Sequence, residues 1–164
     1  MEWRGVEIHP ETPEGGRPLT ELFRKEDVDG MMAHLRSAGA PFGITFADRP
    51  FLSNSRRALQ AAEFAREHGK FDRLHPALFS AYFSQALDIG SMDVLLKIGQ
   101  EAGLDTAAME KAIMSNAFMP KLAQAQEDAG KAGVTGVPTF VINGRKTIVG
   151  AQPLDVFRKA LRSV

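Results

Sequence analysis

Apolar positions along this chain keep a helical period through the middle and a period of two near both ends. From Thr20 to Ser37, Leu22, Phe23, Val28, Met31, Met32 and Leu35 form a broad stripe that stops at Gly39. Ser53–His68 reads as a helix with Ala58, Leu59, Ala62 and Ala65 on one face, Ser53 or Ser55 as its cap and Gly69 as its close. Leu74–Ile89 is the next, with Pro76 in its first turn. Ser91 opens Met92–Ala102, Asp105 or Thr106 opens a helix reaching to the region of Asn116, and Pro120 opens another that ends near Gly133. Gln152-Pro153 begins a last helix with Leu154, Phe157, Ala160 and Leu161 on one face.

Alternation marks the ends. Trp3, Val6 and Ile8 stand among Glu2, Arg4 and Glu7, which predicts a short strand over Met1–His9. Pro10–Pro18 reads as a loop, and Ala40–Phe51, with Pro41, Gly43 and Pro50, as extended or looped chain. Thr139–Ile142, Asn143-Gly144 and Arg145–Val149 read as strand, turn, strand, because a type I′ turn needs positive φ at both central residues. The order strand, helices, hairpin, helix is that of an α/β chain.

Composition narrows the chemistry. At 164 residues the chain is one domain, or one domain with a substantial insertion, and long enough for a real core. Twenty basic and twenty acidic side chains leave no net charge. Nothing here asks for nucleic acid or an anionic membrane, and a neutral surface removes one barrier to self-association. Without a transmembrane run or a signal segment, the expected location is cytoplasmic. No cysteine is present, which excludes structural disulfides, thiolate–zinc sites and dithiol catalysis by this chain alone.

The stretch Val134-Thr135-Gly136-Val137-Pro138-Thr139-Phe140-Val141-Ile142 resembles the cis-proline loop and following strand of thioredoxin-fold redox proteins. Trp3 to Pro13 is similar to a core strand and exit loop of the DsbA family, above all its cytoplasmic FrnE-like branch. Leu78 to Phe83, Asp88-Ile89 and Ala102 to Asp105 look like that branch's insertion helices, and Gly133 to Phe157 like its cis-proline strand, partner strand and closing helix. The resemblance implies a thioredoxin-like, DsbA-type fold with a large helical insertion. Residues 1–18 and 119–164 would form a partial thioredoxin-like domain and residues 19–118 the insertion. It also implies that the N-terminal βα unit is missing: in the family a central strand, a Cys-x-x-Cys turn and a long helix precede the strand that here begins at Trp3. The expectation is that Met1 stands where a longer protein has another residue. The alternatives are a truncated chain that fills the gap from a second copy, as a homodimer completing the sheet, and a rearranged sheet.

In the resembled family a cis peptide precedes the residue matching Pro138. The backbone of the residue matching Val137 pairs there with an extended peptide or with glutathione, which is strand addition. Gly136 and Thr139 flank it. Thr139 could donate a hydrogen bond into a cleft, or be present for its strand propensity. His9, at the end of the first predicted strand, could contact substrate or be a loop histidine. Together with His34, His68 and His75 it forms no HExxH motif or close pair, so no metal set is predicted. His68 beside Gly69 suits a helix C-terminus. Met31, Met32, Phe79, Tyr82 and Phe83 could line an apolar groove, but core packing is the expected reading.

The function implied is that of a DsbA/FrnE-like thiol-disulfide oxidoreductase, inactive as this chain alone. No residue is assigned as catalytic, no metal is expected, and no cofactor beyond glutathione. The partner is an extended peptide or a small thiol or apolar substrate. Two other functions remain open. One is a glutathione-dependent isomerase of the 2-hydroxychromene-2-carboxylate type, with serine at the first cysteine position. The other is a non-catalytic peptide- or ligand-binding module.

Overall fold

A computed structural model describes residues 1–48 and 51–163; Pro50, placed in the second predicted loop, lies outside them. The described chain divides into two compact units, residues 9–122 and residues 1–8 with 123–164.

The larger unit is helical. A two-residue strand β1 (Arg17–Pro18) pairs antiparallel with β2 (Phe51–Leu52), and between them lie a short 3₁₀ turn, helix α1 (Lys25–Gly39) and a second 3₁₀ turn. Then come α2 (Arg56–Glu67), α3 (Phe71–Phe79) with a π-helical turn at Ser80–Ser84, α4 (Met92–Glu101) and α5 (Thr106–Met114). Helix α2 packs against α3, α4 and α5. Its stripe of Ala58, Ala61, Ala62, Phe64 and Ala65 is buried against Leu74, Leu78, Leu95, Ile98, Met109, Ile113 and Phe118. Small side chains on α2 let the neighbouring helices approach, and the large ones fill the space between them.

Several helix ends differ from the sequence reading. Ser55 stands at the N-cap of α2 without a side-chain cap bond. The residue before it, Asn54, supplies one, its Oδ1 accepting the Arg56 N–H at 3.0 Å. Ser91 precedes α4 without a side-chain cap, whereas Asp105 accepts the Ala108 N–H at 3.0 Å. Helix α3 starts at Phe71 rather than Leu74, so Pro76 lies inside it. In its first turns Phe71 stacks on His75, their ring centroids 4.7 Å apart. Phe79 is 52% exposed and Met31 is also exposed, so these two are not core residues as expected. His68 closes α2, its Nδ1 2.8 Å from the Phe64 carbonyl and its ring stacked on Phe64.

The loop at residues 9–16 is held within this unit by one buried amide and two exposed guanidinium contacts. Asn54 Nδ2 donates to the Thr12 carbonyl at 2.7 Å, Arg56 Nη2 to the Pro10 carbonyl, and Arg57 to Glu14.

Helix α6 (Met119–Lys131) runs from the larger unit into the smaller one. The smaller unit continues with strands β3 (Thr139–Ile142) and β4 (Lys146–Val149) and helix α7 (Leu154–Arg162). Asn143 and Gly144 both take positive φ, 50° and 65°, and the Arg145 N–H closes the turn on the Ile142 carbonyl. Lys146, not Arg145, stands opposite Ile142, so β4 starts one residue later than predicted. Helix α7 covers one face of the hairpin, with Phe157 edge-on to Phe140 at 4.8 Å and Ile148 and Ala160 buried.

The predicted strand at Met1–His9 is not observed. A strand needs a ladder partner, and residues 1–8 pair with no strand among the described residues. Side chains hold this segment instead: the Glu7 N–H bonds Gln126 Oε1 at 3.0 Å, and Arg4 Nη1 bonds Asp128 at 2.7 Å. No helix among the described residues is long and apolar enough to cross a membrane.

Candidate functional site

Four of the five candidate residues fall in one turn, at the entrance to β3. The Val137–Pro138 peptide is cis. Thr139 Oγ1 donates to the Gly136 carbonyl at 2.6 Å, which fastens the turn across its mouth. The hydroxyl proton is thereby used inside the loop, so Thr139 does not donate into a cleft as the sequence reading allowed.

Backbone parity sets what this turn presents. The Gly150 N–H donates to the Pro138 carbonyl at 2.7 Å. With Thr139 opposite Val149 and Phe140 opposite Ile148, Pro138, Phe140 and Ile142 direct their backbone groups at β4. In an antiparallel pair alternate residues point the other way. The backbone groups of Thr139 and Val141 therefore face the far edge of β3, which carries no strand among the described residues. Val137 precedes them across the cis peptide, in the bend that leads into β3. Its N–H and C=O have no partner among the described residues, and its side chain is 49% exposed. The turn thus adds an unpartnered main-chain donor and acceptor at the entrance to an open strand edge. Such an edge can pair with an extended chain irrespective of that chain's side chains.

The fifth candidate, His9, belongs to the helical unit. Its Nδ1 lies 3.2 Å from Glu11 Oε1, and Arg17 Nη2 donates to the same oxygen at 2.6 Å. The Glu11 carboxyl is held below its usual range, first by a hydrogen bond from its own backbone and then by His9 and Arg17. In this arrangement His9 is a partner of Glu11 within its own loop.

The model of the DSBA-like thioredoxin domain family matches residues 1–162. The chain belongs to this family. Over 105 residues it is 36% identical to the uncharacterized protein YwbO of Bacillus subtilis (strain 168), an alignment covering 63% of this chain and 52% of that protein. The chain therefore spans about half the length of the curated relative it matches. Among solved structures it is similar to a probable DsbA oxidoreductase from Streptomyces coelicolor, with TM-score 0.86 and 24% identity over 98% of this chain and 73% of that one. It is also similar to a putative protein disulfide isomerase from Nitrosomonas europaea, with TM-score 0.69 and 16% identity over 86% and 74% of the two chains. At these identities the solved structures establish the DsbA-like thioredoxin fold.

Sequence reasoning located the turn from its motif but missed the donors and acceptors beyond it. Parity along β3 depends on the Gly150–Pro138 bond, a contact across the hairpin that no local motif records.

Proposed function

We propose that this chain is the substrate-binding part of a DsbA-like thiol-disulfide oxidoreductase whose sulfur chemistry is supplied by cysteines outside these 164 residues. One observation carries the reading. In a member of the DSBA-like family, the Val137 backbone donor and acceptor stand unpartnered, among the described residues, at the head of an open strand edge. An extended substrate laid along Val137 gains main-chain hydrogen bonds, each worth roughly 0.5–1.5 kcal/mol net. It would also hold a substrate disulfide at fixed register. In the exchange itself, an incoming thiolate forms a bond to one substrate sulfur and expels the other as thiolate; a second thiol then resolves the mixed disulfide. This chain contributes position and no electrons.

The test has two parts. An extended, cysteine-free peptide titrated into the isotope-labelled chain should shift the amide signals of Val137 and Thr139. In an insulin-reduction assay with dithiothreitol, the chain should add nothing to the rate of dithiothreitol alone. A rate increase from this cysteine-free chain, or a peptide that moves signals only elsewhere, overturns the proposal.

A further inference from the structure

An open cleft of about 420 Å³ lies in the helical unit, lined by Arg36, Ala40, Gly43, Ile44, Thr45 and Phe46. It is independent of the thiol-disulfide reading. Its volume falls within the range of small-molecule sites, roughly 300–1,000 Å³.

The cleft is built by a chain reversal that the sequence specifies. Helix α1 ends at Gly39, and a Cβ there would meet the Phe46 ring at 2.7 Å and the Ile44 carbonyl at 3.0 Å. Only glycine lets the returning segment lie this close. Gly43 turns the chain with φ of 69°, and the Ile44 N–H bonds the Gly39 carbonyl at 3.1 Å. The returning segment is then fastened to the π-helical turn. Ser84 Oγ donates to the Thr45 carbonyl at 2.7 Å, the Ala47 N–H donates to the Phe83 carbonyl at 2.8 Å, and Phe46 sits edge-on to Phe83 at 5.8 Å. Such π-turns are rare and occur frequently at functional sites.

The lining is mostly apolar, with Thr45 as a neutral polar side chain and Arg36 as its one charge. Ile44 is exposed, so the cleft presents apolar surface to water. Arg36 spans one side: Nε donates to the Phe46 carbonyl at 3.3 Å and Nη2 pairs with Asp48. Asp48 is 88% exposed, and an exposed ion pair of this kind is worth little and exchanges readily. Arg36 Nη1 has no partner among the described residues. The guanidinium therefore has a donor left for a second acceptor, on a face that is otherwise mostly aliphatic and aromatic carbon.

We infer that this cleft binds a small apolar molecule carrying one carboxylate, the body against Ile44 and Phe46 and the carboxylate on Arg36. A guanidinium matches a carboxylate by geometry as well as by charge.

Phenylbutyrate and phenylbutanol, which share an apolar body and differ in charge, are titrated into the isotope-labelled chain. Phenylbutyrate should give saturable shifts at Ile44, Thr45 and Phe46, with affinity about tenfold above the alcohol. Arg36→Met, which keeps the apolar stem, should bring the acid down to the alcohol's affinity. The acid–alcohol comparison on the unaltered chain stands even where the variant loosens its loop. Equal affinity for acid and alcohol, an unaltered affinity in a folded Arg36→Met chain, or no saturable shift at these three residues overturns the inference.

Discussion

The two units bury their apolar side chains very differently. In the helical unit Leu74, Leu95, Met109 and Ile113 have almost no exposed surface, enclosed by helices on several sides. In the smaller unit Ile148 and Ala160 are the only fully buried apolar residues among those described, while Val137, Val141, Val149, Leu154 and Leu161 stay in contact with water. The reason is the number of layers. Four helices close around a common centre, but a hairpin with one helix covers a single face and leaves a strand edge and the opposite face open. The unit that carries the cis-proline turn is thus the one with less core of its own, in keeping with binding surfaces drawn from the less stable end of a structure.

The largest test of this contrast compares two leucines. Leu74→Ala should lower unfolding free energy by about 2–5 kcal/mol, since it removes a fully enclosed side chain and leaves a cavity. Leu154→Ala, at a residue 61% exposed, should cost under about 1 kcal/mol. Denaturant midpoints measure both. Equal losses would mean that α7 is covered in solution and would break the comparison.

Asn54→Ala comes next. The buried amide serves the Thr12 carbonyl and the first N–H of α2 together, so its loss should cost about 1–3 kcal/mol. Hydrogen exchange should show faster exchange in α2's first turn, with protection of α4 and α5 unchanged.

Val141→Lys should change stability by less than about 0.5 kcal/mol, because the side chain lies on the open face of β3. It should also weaken any self-association through this edge, as charged edge residues do. Sedimentation of the native and substituted chains checks the second point. A loss above about 2 kcal/mol would show the face to be buried in solution.

How much of this was legible in the chain depends on the range of the interaction. The α2 stripe, the Asp105 cap and the Asn143-Gly144 turn are local and could be read directly. The DsbA-like fold was legible from the motif around Val137-Pro138 and from the order of elements. Residues that depend on distant partners were not. The β1–β2 pair is two residues long and joins Arg17–Pro18 to Phe51–Leu52 across a helix. The apolar alternation at Trp3, Val6 and Ile8 has the strand period but no ladder partner among the described residues. The π-turn at Ser80–Ser84 carries no periodic signal, and the Arg36–Phe46 cleft exists only after the chain reverses at Gly43.

The smallest expected effect concerns His75, in the middle of the aromatic column formed with Phe71 and Phe79. Burial pushes its pKa below the ordinary value of about 6.5; nearby Arg66 adds to the shift and Asp72 opposes it. The unfolded chain therefore takes up the proton first as pH falls. The contribution to stability is complete above about pH 6.5 and is lost as pH drops towards the lower folded-state value. His75→Gln removes that dependence while disturbing the stack at every pH. The informative quantity is thus the change in urea midpoint between about pH 7.5 and about pH 5.5, compared between the two chains. The native chain should lose more on acidification than the substituted one. Equal losses would place the pH dependence in other groups, and would mean that the column leaves His75 as well hydrated as in the unfolded chain. The enclosure that distinguishes the helical unit would then stop short of α3's outer face.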